Sequence, residues 1–159
     1  MTIVLLAVPK VELTGRYKRT LFGKRPEYSL LGAFKFIIKG LEHHPEIEVH
    51  INAGFKYDSA TLPRIARLVF DSSDPRICVP SSFHDEAYSF AFNHSYCKLP
   101  VLISGHPRII KLSRREIDLI YRQLLIRFGM PRWVSAFIYY PLRVGGLPAW
   151  LLSINSTKI

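Results

Sequence analysis

The chain is poor in the residues that build disulfide scaffolds and zinc clusters. It has two cysteines in 159 residues, Cys78 and Cys97, and neither has a CxxC partner or a Cys/His partner at zinc spacing. Two cysteines allow at most one bridge, so a reducing compartment is the natural expectation. Acidic residues are scarce as well. Twelve Asp and Glu stand against 22 Lys and Arg, a formal charge of +10. There is no internal repeat, no low-complexity linker and no clean apolar run long enough to span a bilayer. The longest candidate, residues 133–154, is interrupted by Pro141, Arg143, Gly145, Gly146 and Pro148, and it reads as a buried helix followed by an apolar tail. Residues 1–10 lack a basic start and their apolar run stops at Pro9-Lys10, so they read as a first strand rather than a signal peptide. No GxSxG elbow, P-loop or HExxH pattern occurs.

What is present is a globular composition, 48% hydrophobic and 21% charged. That excludes disorder for most of the length and fits one domain with a single core. The positive surface suits a polyanion: nucleic acid, a cell-wall polymer, anionic lipid or an acidic protein partner. Its densest group, Arg16, Lys18, Arg19, Lys24 and Arg25, reads as a strand and its turn, without a recognised nucleic-acid motif.

The chain changes character near residue 60. Before it, β signals dominate at residues 2–8, 16–22, 30–39 and 46–57, separated by Pro and Gly breakers. After it, helical signals take over. Pro63 opens a short helix over 64–70, and a second runs from Ser81 or Ser82 to about Phe92. A polar, β-like insertion occupies 93–112. A third helix begins with a capping box, Ser113-Arg114-Arg115-Glu116, and carries Ile117, Ile120, Tyr121, Leu124, Leu125 and Phe128 on one stripe. Gly129 ends it and Pro131 opens a fourth. The expected architecture is α+β: a small antiparallel sheet (about 1–58) packed with about four helices (about 60–146), and an apolar tail at 147–159.

Three segments carry candidate chemistry: residues 57–64, His84-Asp85-Glu86-Ala87-Tyr88, and Ser113 to Asp118. His84, Ala87, Tyr88 and Ala91 share one helix face, and the alanines let a neighbouring helix approach. Asp118 sits at the margin of the third helix's stripe, half buried, where it can face His84. A His–carboxylate pair fixes the tautomer and stabilises imidazolium, leaving the other nitrogen to take a proton. Asp58 and Asp85 are candidate ligands for a hard divalent cation. Readings without chemistry stand beside these. His84 can be a hydrogen-bonded core residue, Arg114–Asp118–Arg122 a surface ion ladder, and Asp58 a helix cap.

In this order, the segments resemble domain-of-unknown-function family 1353, small proteins of bacteriophages and prophages. The matching residues are Gly54-Phe55-Lys56-Tyr57-Asp58-Ser59-Ala60-Thr61-Leu62-Pro63-Arg64, then His84-Asp85-Glu86-Ala87-Tyr88, then Ser113, Arg114 and Asp118. An approximate end segment follows, Tyr140-Pro141-Leu142-Arg143-Val144-Gly145-Gly146. The resemblance covers about residues 45–146 and implies a phage origin, in the host cytoplasm or the virion, with other phage proteins as partners. It adds Thr61, Arg64, Tyr88 and Arg114 to Asp58 and Asp85 as orienting or cation-binding candidates. The His-Asp-x-x-Tyr helix, with an Asp on a following helix, is also similar to secreted phospholipases of the A2 type. That similarity implies a water-activating His84, a cation-binding Asp85 and an orienting Asp118. The cysteine framework and Gly-rich calcium loop of those enzymes are not present here. Two expectations result: a His84–Asp118 hydrolase acting on cell-wall or lipid material, or a virion assembly protein docking through its basic face and apolar tail.

Overall fold

The computed structural model describes residues 1–20, 23–58, 74–91 and 96–145. The elements in order are β1 (Thr2–Ala7), β2 (Val11–Thr20), β3 (Gly23–Leu30), β4 (Phe34–Leu41), β5 (His44–Ile51), β6 (Lys56–Asp58), α1 (Pro75–Ser89), β7 (Tyr96–Ile103), β8 (His106–Ser113), α2 (Arg114–Arg127) and α3 (Arg132–Gly145). The class is α+β, as the sequence indicates, with more sheet than expected.

Alternation places the core. Phe34, Phe36 and Ile38 of β4 are buried, as are Ile47, Val49 and Ile51 of β5, while the residues between them are half-exposed or exposed. Successive side chains on a strand point to opposite faces, so these residues line one side of the sheet. Each such side chain is worth about 1.5–3 kcal/mol when fully buried. That side meets Phe83 and Ala87 of α1 and Ile117, Ile120 and Leu124 of α2. A second cluster, Ile77, Tyr121, Leu125, Met130, Val134 and Ile138, joins α1, α2 and α3.

Two sheets form where one was expected. The larger has the order β1-β4-β5-β7-β8 and the smaller β2-β3-β6, with every recorded pairing antiparallel. The run at 46–57 is divided because Gly54, at φ +80°, turns the chain out of β5. Left-handed backbone of that kind is natural to glycine. The β-like stretch expected at 93–112 forms, from Tyr96 on, the β7–β8 hairpin, which is no insertion because β7 pairs with β5 inside the larger sheet. Ser104 and Gly105, at φ 52° and 77°, form the two-residue turn that matches the twist of such a hairpin. The basic group of residues 16–25 lies on β2 and β3, with Lys18 opposite Arg25 and Arg19 opposite Lys24.

Among the described residues there are three helices. The short helix expected at 64–70 and the tail at 147–159 lie outside the described residues. α1 starts six residues before Ser81. Asp74 accepts from Arg76 N at 2.9 Å and Pro75 holds the first helical position, where its missing N–H is no loss. α2 has the expected capping box: Ser113 N donates to Glu116 Oε2 at 2.7 Å, and Glu116 N donates to Ser113 Oγ at 3.2 Å. Gly129 follows α2 at φ +89°. α3 is not buried throughout. It covers Val134, Ser135, Ile138 and Tyr139 but leaves Trp133, Phe137, Tyr140 and Val144 exposed. Cys78 and Cys97 are buried and form no disulfide.

Candidate functional site

Both faces of α1 are covered, one by the sheet and the other by α2, so its polar residues must find partners inside. His84 and Tyr88 lie one turn apart on the side that meets α2. Asp118 lies on the second turn of α2, set by the Ser113 cap. The three meet. His84 Nε2 is 3.1 Å from Asp118 Oδ1, and Tyr88 Oη donates to the same oxygen at 3.0 Å. The imidazole packs against two rings, Tyr88 at 4.1 Å and Tyr121 at 5.1 Å between centroids.

The other carboxylate oxygen of Asp118 accepts from Arg143 Nη1 at 2.8 Å, with Arg114 Nε at 3.8 Å. Arg114 also ties the elements together. Its Nε donates to Tyr88 Oη at 3.2 Å, and its Nη2 donates to the carbonyls of Leu142 at 3.1 Å and Arg143 at 2.5 Å. Orphan carbonyls at the end of α3 thus receive a cation, the sign that the helix C-terminus favours.

Asp118 is therefore fully buried rather than half-buried. Neighbouring side chains from α1 and α3 close over it. The Arg114–Asp118–Arg122 surface ladder is overturned by the same fact, and Arg122 instead lies over the Tyr139 ring, 5.6 Å from its centroid. Burial alone would raise the Asp118 pKa, but the hydrogen bond and charge of His84, then the bonds from Arg143 and Tyr88, hold it below the ordinary carboxylate value. Burial alone would lower the His84 pKa. The hydrogen bonds and charges of Asp118 and Asp85 outweigh that, and the ring titrates above its ordinary value.

Asp85 Oδ1 lies 3.8 Å from His84 Nδ1. Exposure rises across the site, from 0% for the Asp118 side chain through 10% for His84 to 30% for Asp85. His84 as a whole residue is buried, at 8% exposure, and its Nδ1 faces the partly exposed Asp85 carboxylate. Asp58 ends β6 opposite Glu27, but its side chain, like Thr61 and Arg64, lies outside the described residues. Among the described residues no group of three or more His, Cys, Asp or Glu side chains is gathered to hold a metal ion.

Two residues that touch the site, Arg143 and Tyr121, were not among the expected site residues. Arg143 is the one cation of residues 140–146, and that composition is the only local signal for it. Tyr121 looked like an ordinary member of the α2 stripe. Its hydroxyl pairs with Ser81 Oγ at 3.2 Å. Tyr57 of β6, in the first candidate segment, is buried, and its hydroxyl has no hydrogen-bond partner among the described residues. The Cys97 thiol is pushed up to about 12, chiefly by burial, which leaves it a poor nucleophile. Comparison with family models, with curated proteins and with solved structures finds no match to this chain.

Proposed function

We propose that the chain is a hydrolase in which His84 is the general base and Asp118 its orienting carboxylate. The observation that carries the reading is the 3.1 Å contact between His84 Nε2 and a buried, charge-stabilised Asp118. An ionised carboxylate only accepts, so Nε2 must donate. In the neutral ring the lone pair then sits on Nδ1, which faces Asp85 Oδ1 at 3.8 Å. A water there gives its proton to Nδ1, and its oxygen attacks a substrate carbonyl carbon. The bond from that carbon to the leaving oxygen or nitrogen breaks, and the proton on Nδ1 passes to the leaving atom. Asp118 stabilises the imidazolium between these steps.

The substrate class in this reading is lipid or cell-wall material. The net charge of +10 and the similarity of the His84–Tyr88 helix to phospholipase helices support it. The resemblance of the three segments to family 1353 supports a phage setting.

Against the opposing effect of burial, Asp118 and Asp85 hold the titration of the His84 ring above its ordinary value. The base form gains as the pH rises, so the rate should climb towards the alkaline side. The test compares wild type with His84→Asn, following fatty-acid release from phosphatidylglycerol vesicles and fragment release from peptidoglycan sacculi. The variant should lose about 10²–10⁴-fold in rate while its melting temperature stays close to wild type. Failure of the wild type to hydrolyse either material, or a rate unchanged in His84→Asn, overturns the reading. A large loss of stability in the variant assigns His84 to the core instead.

A further inference from the structure

Four large apolar side chains of α3 remain in water: Trp133 at 70% exposure, Phe137 at 39%, Tyr140 at 63% and Val144 at 83%. They are spaced by four, three and four residues. At about 100° per residue they fall on one line along the helix, within ~60° of each other. The opposite side of α3, with Val134, Ser135 and Ile138, is buried in the cluster shared with α2. At about 1.5 Å rise per residue the exposed line is ~16 Å long, and no charged residue lies in it. Single exposed apolar side chains are ordinary, but a contiguous row marks a contact surface.

Charge decides what covers it. Across α2 and α3 there are Arg114, Arg115, Arg122, Arg127, Arg132 and Arg143 against Glu116 and the buried Asp118. Arg115, Arg127 and Arg132 are exposed. A second copy would set this cationic excess against itself. Nucleic acid calls for cations in the line of contact, where this row has none. An anionic bilayer meets both requirements: the aromatic and valine side chains enter the headgroup–acyl boundary, and exposed Arg132, next to Trp133 in the chain, meets headgroups with the net charge of +10 behind it. Among the described residues no helix is long and apolar enough to cross a membrane. A two-sided helix of this kind suits the interfacial plane instead.

We propose that α3 docks the protein on an anionic lipid surface through Trp133, Phe137, Tyr140 and Val144. This does not depend on hydrolysis at His84.

The test is co-sedimentation of the full chain with phosphatidylglycerol/phosphatidylcholine vesicles and with phosphatidylcholine vesicles alone. Binding should require the anionic lipid, weaken with salt, and fall about tenfold or more in a Trp133→Ser, Phe137→Ser double variant. A Tyr140→Ser, Val144→Ser variant should do the same, so one misfolded protein does not decide the result. Melting temperatures check that both are folded. The chain has two tryptophans, so in a Trp150→Phe background the emission of Trp133 should shift to the blue on binding. No sedimentation with anionic vesicles, or undiminished binding in both folded variants, overturns the proposal. So does a vesicle-free dimer that either variant dissolves, which assigns the row to a second copy.

Discussion

Asp118 is the residue whose role is most sharply constrained. It has no exposed surface, yet it faces the His84 ring, the Tyr88 hydroxyl and two guanidinium groups. Removing one partner of a buried ion pair leaves the other charge uncompensated, which costs about 3–5 kcal/mol. Asp118→Asn keeps the shape and loses the charge. It should lower the urea midpoint accordingly, and NMR titration should show the His84 ring losing protons at a lower pH than in wild type. An unchanged His84 titration would mean that the ring is not coupled to this carboxylate. His84, Tyr88 and Asp118 were legible because two share a helix face and the third follows a capping box. Arg143 was not, because 25 residues separate it from Asp118 and only the packing of α3 on α2 brings it there.

At the scale of elements, α2 is the piece most plainly written in the chain. Its cap, apolar stripe and terminating Gly129 are all local signals, and all are present in the structure. The same cap holds the frame for Arg114 and Asp118. Ser113→Ala should cost about 1 kcal/mol and Ser113→Thr much less. Amide hydrogen exchange should quicken in the first turn of α2 in the alanine variant; unchanged protection would show that tertiary packing alone holds that turn. α1 was harder to read. It is buried on nearly all sides, so its apolar residues show no one-sided period, and Pro75 and Pro80 look like breakers. Pro80 removes one backbone donor inside the helix, a cost that contacts with the sheet and α2 can offset. α3 departs in the opposite sense: its rich apolar content points to burial throughout, but the structure buries one side and leaves an apolar row outside.

For the molecule as a whole, the site's charges set how stability varies with pH. His84 titrates above its ordinary value, so its contribution is complete below about 6.5 and is lost as the pH rises through the folded-state value. Glu86 acts in the same sense, because burial pushes its pKa up to about 7; its contribution is present in acid and lost as the pH climbs through that value. Asp118 acts oppositely. Its contribution is present above about 3.9 and is lost as the pH falls through a folded-state value below the ordinary one. Linkage therefore predicts greatest stability in mildly acidic solution, near pH ~5, and a decline by pH ~8. Urea midpoints across the range test this, and a midpoint that rises from mildly acidic to mildly alkaline pH contradicts it.

The sequence by itself determined the α+β class, the change from strands to helices, α2 with its caps, and the acid–imidazole candidates on α1 and α2. These follow from local periods and hydrogen bonds within a few residues. Tertiary structure decided the rest. It placed the β7–β8 hairpin in the larger sheet and divided the strands between two sheets, because pairing partners are distant in the chain. It sealed Asp118 beneath α1 and α3, brought in Arg143, and turned an apolar helix so that one row faces outward. Burial is a property of what packs against a residue, and that is set by contacts between parts of the chain that no local pattern connects.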